Sequence, residues 1–289
     1  MENIKNCMVC DSNQYEDYLK CSDYLVTKEN FILTQCKNCG FVFTNPRPTI
    51  EEIPPYYNSK EYYSHSADSK SIISGIYNIV RNLNIKKKLN LIKKVTKKQG
   101  LLLDYGCGAG LFIKYATSHG WVTRGIEPNT EARAVCKELG LTVEAPEFLT
   151  SINEQKFDVI TLWHVLEHLH DIEIVIPKLK SLLNIDGFIV VAVPNIDSWD
   201  AKKYKENWAA YDVPRHLYHF TPKTIEKLFA KFGMSIVSTH PMKFDAYYVS
   251  MLSEGKSVLA KVKAIINGLR SNIQAKSDMN YSSLIYLIK

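Results

Sequence analysis

Nowhere in the 289 residues does an apolar run approach the ~18 residues that a membrane helix needs. The opening MENIKNC carries no basic stretch leading into an apolar segment. Membrane spanning and secretion are therefore not expected, no membrane partner is expected, and a cytoplasmic setting is. Charge of one sign is also in short supply: 36 Lys and Arg stand against 30 Asp and Glu, a net +6 well below that of a dedicated nucleic-acid binder. Neither internal repeats nor low-complexity segments occur, which excludes repeat arrays. What is present is an ordinary globular composition, 46% hydrophobic and 23% charged, able to build a core without disulfide staples. The length suits one large domain with a small partner.

Seven cysteines in an unsecreted chain point to metal or catalytic roles before disulfides. Cys7 and Cys10 form one C-x-x-C, Cys36 and Cys39 a second, and Gly40 follows directly. Two intervening residues let a tight turn aim both sulfurs at one ion, and two such knuckles complete a tetrahedral structural zinc site. The interval between Cys10 and Cys36 has room for a hairpin. Cys21, Cys107 and Cys136 lack such pairing and read as small apolar fillers.

Pro46, Pro48, Pro54 and Pro55 mark a connector after this module. From about Ser71 to Lys98 the pattern turns helical. Ile85, Leu89, Ile92 and Val95 recur at helical spacing, with lysines mostly elsewhere on the wheel. A lysine-rich helix can touch RNA or another anionic surface, but with no arginine or aromatic interleaved it reads first as a solvated face.

LLLDYGCGAGLFIKYATSHG reads as a buried strand, a glycine turn and a helix, the arrangement that brings bare backbone N–H groups to a ligand. Gly106, Gly108 and Gly110 give G-x-G-x-G, which is not the nicotinamide or flavin spacing. Asp104 at the strand end would repel a pyrophosphate and favours a cationic ligand. A second strand ends in Glu127, where a carboxylate can bind both hydroxyls of a ribose. A helix from Thr130 to Leu139, strands at Leu141 to Glu144 and Phe157 to Leu162, a helix from Ile174 to Leu183, and a fifth strand FIVVAVPN after Gly187 complete an alternating β/α series. Ser235 to His240 reads as a sixth strand, Ala246 to Ser253 and Ser257 to Ile273 as helices, and SSLIYLIK as the last strand.

Taken together, DYGCGAG, GIEPN, FDVITLWHVLEHLHD and VPRHLYHFTPKTIEKLFAKFGM resemble a class I S-adenosylmethionine-dependent methyltransferase over Lys98 to about Ser238. The resemblance implies an α/β fold: a doubly wound, seven-stranded Rossmann-like sheet, here with a small N-terminal zinc-ribbon-like module. It also implies that Asp104, Gly106 and Gly108 hold the methionine end of the cofactor and that Glu127 binds its ribose. Pro128 or Asn129 would flank the adenine, and Trp163 and His164 would border the methyl-transfer cleft. The acidic adenine contact usual after the third strand has no clear counterpart in VEAPEF. The resemblance extends to a subgroup with V-L-E-H after the fourth strand, in which Glu167 and His168 look architectural. A second metal site among His164, Glu167, His168 and His170 is the alternative reading. The expected division is a zinc module over 1–57, a linker and lysine-rich helix over 58–98, and a methyltransferase domain over 99–289.

Methyl transfer from a sulfonium needs alignment, exclusion of water and, for some acceptors, a base. The segment ENWAAYDVPRHLYHFT, rich in aromatics and histidines, reads as a substrate lid around 200–220 with His216, His219 and Tyr211 as acid/base candidates. The same residues could equally form a packed cap. Thr221 and Pro222 then start a helix as N-cap and first residue. The function expected is methylation of a small molecule, such as a sugar or secondary metabolite. RNA methylation and non-catalytic cofactor binding are the alternatives. Five basic against eight acidic residues over 1–57 argue against RNA.

Overall fold

A computed structural model describes residues 1–57, 72–96, 98–152, 155–255 and 257–289, with side chains of the first helix described from residue 80. The first part of the expected linker, 58–71, and Lys97 lie outside the described residues. The chain opens with β1 (Tyr15–Ser22), β2 (Asn30–Cys36), β3 (Val42–Thr44) and α1 (Ile72–Val95). The β/α series follows as β4 (Leu101–Tyr105), α2 (Leu111–Thr117), β5 (Val122–Ile126), α3 (Thr130–Glu138), β6 (Val143–Glu144), α4 (Phe148–Ser151) and β7 (Phe157–Trp163). After it come α5 (Ile172–Ser181), β8 (Leu183–Pro194), α6 (Trp199–Tyr204), β9 (Tyr218–His219) and α7 (Pro222–Lys231). The chain ends with β10 (Ile236–Pro241), α8 (Asp245–Glu254), α9 (Val258–Asp278) and β11 (Ser283–Ile288).

The larger sheet is a mixed seven-stranded one in the order β10-β11-β8-β7-β4-β5-β6, the number of strands expected, and the last strand lies beside the sixth of the series. β4 pairs parallel with both β5 and β7, and its Asp104 stands opposite Gly125 and Thr161. Leu102, Leu103, Val159, Ile160 and Leu162 are all buried. That burial explains why these strands read as continuous apolar runs. Around Gly187 the boundaries differ from expectation. α5 ends at Ser181, and β8 is already extended at Leu183 with Gly187 inside it. A Cβ on Gly187 would lie 2.9 Å from the Phe157 carbonyl, so this glycine serves a close backbone approach within the strand and not a turn.

By contact the chain forms two compact units. One holds the N-terminal residues, Leu166–Glu173 and Ala192–Tyr286; the other runs from α1 to Val165 and includes Ile174–Val191 and Leu287–Lys289. These units cut across the linear division at 57 and 98. The reason lies in a second, four-stranded sheet of order β1-β2-β3-β9, in which Val42 pairs with His219 and Phe43 with Tyr218. A strand from beyond β8 thus completes the N-terminal sheet. Phe41, Phe43, Tyr218 and Phe220 are buried together, with ring centroids 5.5 to 6.2 Å apart for the Phe41 pairs and Tyr218–Phe220. Among the described residues no helix is long and apolar enough to cross a membrane.

Candidate functional site

The glycine loop follows β4. Gly106 and Gly108 hold φ of +78° and +54°, a region that disfavours side chains. At Gly106 a Cβ would lie 2.4 Å from a Val165 methyl carbon, whereas at Gly108 nothing lies within 4 Å. The turn is therefore closed on one side by packing and open at Gly108, where a ligand can approach the backbone. Gly110 precedes the first turn of α2. Glu127 is buried at the end of β5. Its Oε2 accepts the Gly108 N–H at 2.8 Å and its Oε1 the Asn129 N–H at 2.9 Å. Each oxygen keeps a further lone pair for a hydroxyl. Pro128 is exposed, its carbonyl taken by Arg133 at 2.7 Å.

Asp104 is buried, and its Oδ1 accepts the Thr161 hydroxyl at 2.6 Å. Burial pushes its carboxyl up to about 7, against the opposing effects of the Thr161 hydrogen bond and the Lys88 charge, with the Glu127 charge raising it further. Two neighbouring acids, one of them held back from ionising by burial, make a site that a cation would complete. These residues could hold a ligand that carries both a cation and hydroxyls, Asp104 toward the cation and Glu127 toward the hydroxyls. Trp163 ends β7, edge-on to Phe112 at 5.4 Å, with Lys88 Nζ 4.4 Å from its ring centre. His164 follows at φ +57°, a conformation uncommon for a residue with a side chain.

The other unit carries the cysteine cluster. Cys7, Cys10, Cys36 and Cys39 bring their sulfurs within 4.8 Å of one another, and the Cys7–Cys39 and Cys10–Cys36 pairs are 3.5 and 3.6 Å apart. Zn–S bonds of about 2.3 Å put tetrahedral sulfurs about 3.8 Å apart, so the four thiols fit one zinc ion. Each knuckle turns through a left-handed residue, Gly40 at φ +79° and Asp11 at φ +59°. Burial pushes the Cys39 thiol up to about 11.

His216, His219 and Tyr211 all lie in this unit and are buried. Thr44 has a single hydroxyl proton, which goes to the His216 carbonyl at 2.9 Å, so His219 donates its Nε2–H to Thr44 Oγ1 at 3.2 Å. Burial holds His219 well below the usual imidazole range. Tyr211 packs edge-on against Trp208 and His219. In contrast, His216 directs Nδ1–H to the Ala210 carbonyl at 2.9 Å, leaving Nε2 as the accepting nitrogen, 4.0 Å from Asp212 Oδ2. His168 does the same toward the Arg215 carbonyl at 3.0 Å, and burial brings it down to about 4. The two rings stand edge to face, 4.5 Å apart. Glu167, His168 and His216 each offer a ligand atom within 4.8 Å of the others, so this trio could share a metal ion. His170 is turned away from it, its Nε2 on the Pro48 carbonyl.

A family model described as "Methyltransferase domain" matches residues 78–239, more than half of the chain. The chain belongs to that methyltransferase-domain family. It is 34% identical over 116 residues to a "Ubiquinone biosynthesis O-methyltransferase" of Haemophilus ducreyi, covering 35% of this chain and 49% of that one. To the protein of the same description from Rhodopseudomonas palustris it is 25% identical over 180 residues, 57% of this chain and 71% of the other. This methyltransferase-family chain spans about half the length of the first of these curated relatives. A SAM-dependent methyltransferase structure from Archaeoglobus fulgidus superposes with a TM-score of 0.52 at 20% identity, over 76% of this chain and all of that one. Magnesium protoporphyrin IX methyltransferase from Synechocystis, with SAH bound, gives 0.51 at 15% identity over 81% and 95%. These likenesses show the fold alone.

Sequence reasoning missed three contributors in this methyltransferase-family chain. Thr161 sits in an apolar strand, where a lone hydroxyl opposite an acid was the available signal. Lys88 was merged into its lysine-rich face. Arg215 is fully buried and donates to Asp23, to Asp212 and to the Tyr56 carbonyl, a role no local pattern announces.

Proposed function

We propose that this chain is an S-adenosylmethionine-dependent methyltransferase that transfers a methyl group to a hydroxyl of a small molecule, such as a sugar or secondary metabolite. The observation that carries this is the buried Asp104, bonded to Thr161 beside a backbone loop open at Gly108 and ordered by Glu127. Family membership supports the reaction class, and the relatives named as O-methyltransferases support oxygen as the receiving atom.

When bound, the cofactor supplies an electrophilic methyl group on a sulfonium. Asp104 holds the cationic amino group and Glu127 accepts from the ribose hydroxyls, fixing the direction of the bond that breaks. His216 is the base in this reading: its Nδ1–H is fixed on the Ala210 carbonyl, which makes Nε2, 4.0 Å from Asp212 Oδ2, the proton-accepting nitrogen. His219, with Nε2–H committed to Thr44, and Tyr211, packed between rings, serve as support in this reading. Zinc held by the four cysteines shapes the sheet that carries β9. RNA is the weaker acceptor, since the module that would bind it is net acidic.

Profiling methyl acceptance from labelled cofactor over metabolite pools, nucleotide sugars and total RNA tests the reading. Label in a small molecule bearing a methyl ether supports it. Label confined to RNA, or no cofactor binding by calorimetry, overturns it.

A further inference from the structure

Helix α9 presents the wrong face to solvent. Its inward side carries small and polar residues, Ala264, Asn267, Gly268, Ser271, Asn272 and Ala275, all buried. Gly268 lets α8 come close, for a Cβ there would lie 2.8 Å from the Cα of Tyr247. Asn267 donates to Tyr204 Oη at 3.0 Å and to Glu254 at 2.8 Å, Ser271 to Asp200 at 2.7 Å, and Asn272 to the Lys243 carbonyl at 2.9 Å. The hydrogen-bonding groups that normally face water are thus used to clamp the helix to its own unit.

The outward side is aliphatic. Val258 and Leu259 are 80% and 78% exposed, and Val262, Ile265, Ile266, Leu269 and Ile273 between 46% and 56%. At about 100° per residue these side chains fall within an arc of roughly 120°. Met251 and Leu252 of α8 are exposed as well. A continuous apolar face of this size is uncommon on a surface that meets only water. Its edges are cationic, with Lys261 on one side and Arg270 and Lys263 on the other, all exposed, although Lys263 is paired with Glu254 of α8 at 2.7 Å; Lys276 extends the line of the stripe at the C-terminal end, and Asp278 is the only acid in the helix.

We propose that α9 is an interfacial helix that seats this protein on an anionic lipid bilayer, its aliphatic stripe in the acyl boundary and its flanking cations among the headgroup phosphates. A helix lying in the plane needs an apolar stripe with basic edges and no long apolar run, so the sequence-level expectation of no membrane partner does not reach it. Charge selects this occupant over a second copy of the chain: two such faces brought together would set cations against cations, whereas anionic headgroups complement them.

The test is co-sedimentation of the full chain with vesicles of phosphatidylcholine alone and of phosphatidylcholine mixed equally with phosphatidylglycerol. Wild type is expected to bind the anionic vesicles and to release them in high salt. Ile266→Glu with Leu269→Glu should weaken that binding by about tenfold or more while leaving the melting temperature unchanged, since both side chains are exposed. Lys261→Glu with Arg270→Glu, which leaves the stripe intact, should abolish the preference for anionic over neutral vesicles. Absence of wild-type binding overturns the proposal, as does equal binding by the Ile266/Leu269 variant. A vesicle-indifferent dimer that this variant converts to monomer in sedimentation velocity overturns it in favour of self-association.

Discussion

At the scale of single residues, Asp104 is the side chain whose chemistry can be read most directly. Burial raises its carboxyl to about 7, yet a cationic ligand is bound by the ionised form. Cofactor affinity is therefore expected to strengthen as pH rises from 6 to 8, and Asp104→Asn should remove most of that dependence. Loss of the charge-assisted contact should itself cost about 1.5–3 kcal/mol, roughly ten- to hundredfold in Kd at pH 8. Isothermal calorimetry at three pH values checks both effects; a flat wild-type profile would assign the proton elsewhere. Arg215 is the second such residue. It is buried with Asp23, whose carboxyl the Arg215 guanidinium and the Thr27 and Val26 amides hold below the usual range despite burial. Arg215→Met strands Asp23 in the interior, and the expected loss is about 3–5 kcal/mol by urea unfolding. Asp104 was legible in the sequence because it directly precedes a glycine loop. Arg215 was not, because its partner Asp23 is 192 residues away in the chain.

At the scale of elements, the β/α series was readable from sequence because parallel strands buried on both faces appear as apolar runs and the intervening helices carry caps such as Asn129 and Thr221. β9 was not readable. Two residues have no periodicity of their own, and Tyr218 and His219 become a strand only because β3 lies ready to pair with them. That pairing ties the cysteine cluster to the segment bearing His216: β3 follows the second knuckle, Thr44 N–H donates to the Leu217 carbonyl at 3.0 Å, and Thr44 Oγ1 to that of His216. With zinc held by the four cysteines, as proposed, its removal is expected to loosen both at once. In hydrogen exchange with and without chelator, amides of β2, β3 and 215–219 should lose protection together, and Cys36→Ser should reproduce the effect. Loss of protection confined to the knuckles would show that the sheet stands without the ion.

At the scale of the whole molecule, three histidines decide how the protein meets acid. His168, His170 and His219 are each held below their ordinary imidazole range, by burial foremost. In the unfolded chain they take up protons near pH ~6.5, and in the folded chain only further down. Below that pH the unfolded state binds more protons, so stability falls as the solution is acidified toward 4. Asp104 works the other way. Its folded carboxyl is protonated already near 7 and its unfolded one only near ~4, so between those values it favours the folded state as pH drops. Three groups oppose one, and the net proton uptake on unfolding leaves the acid side less stable. The urea midpoint is expected to decrease from pH 7 to pH 5. His219→Gln, which keeps a donor for Thr44, should make that decrease shallower even if it lowers the midpoint at neutral pH. Saturating cofactor should steepen it, because binding keeps Asp104 ionised and cancels the one opposing contribution. A midpoint that holds or rises on acidification would mean that these rings take up protons without unfolding, and the picture of three imidazoles held neutral in the N-terminal unit would fail with it.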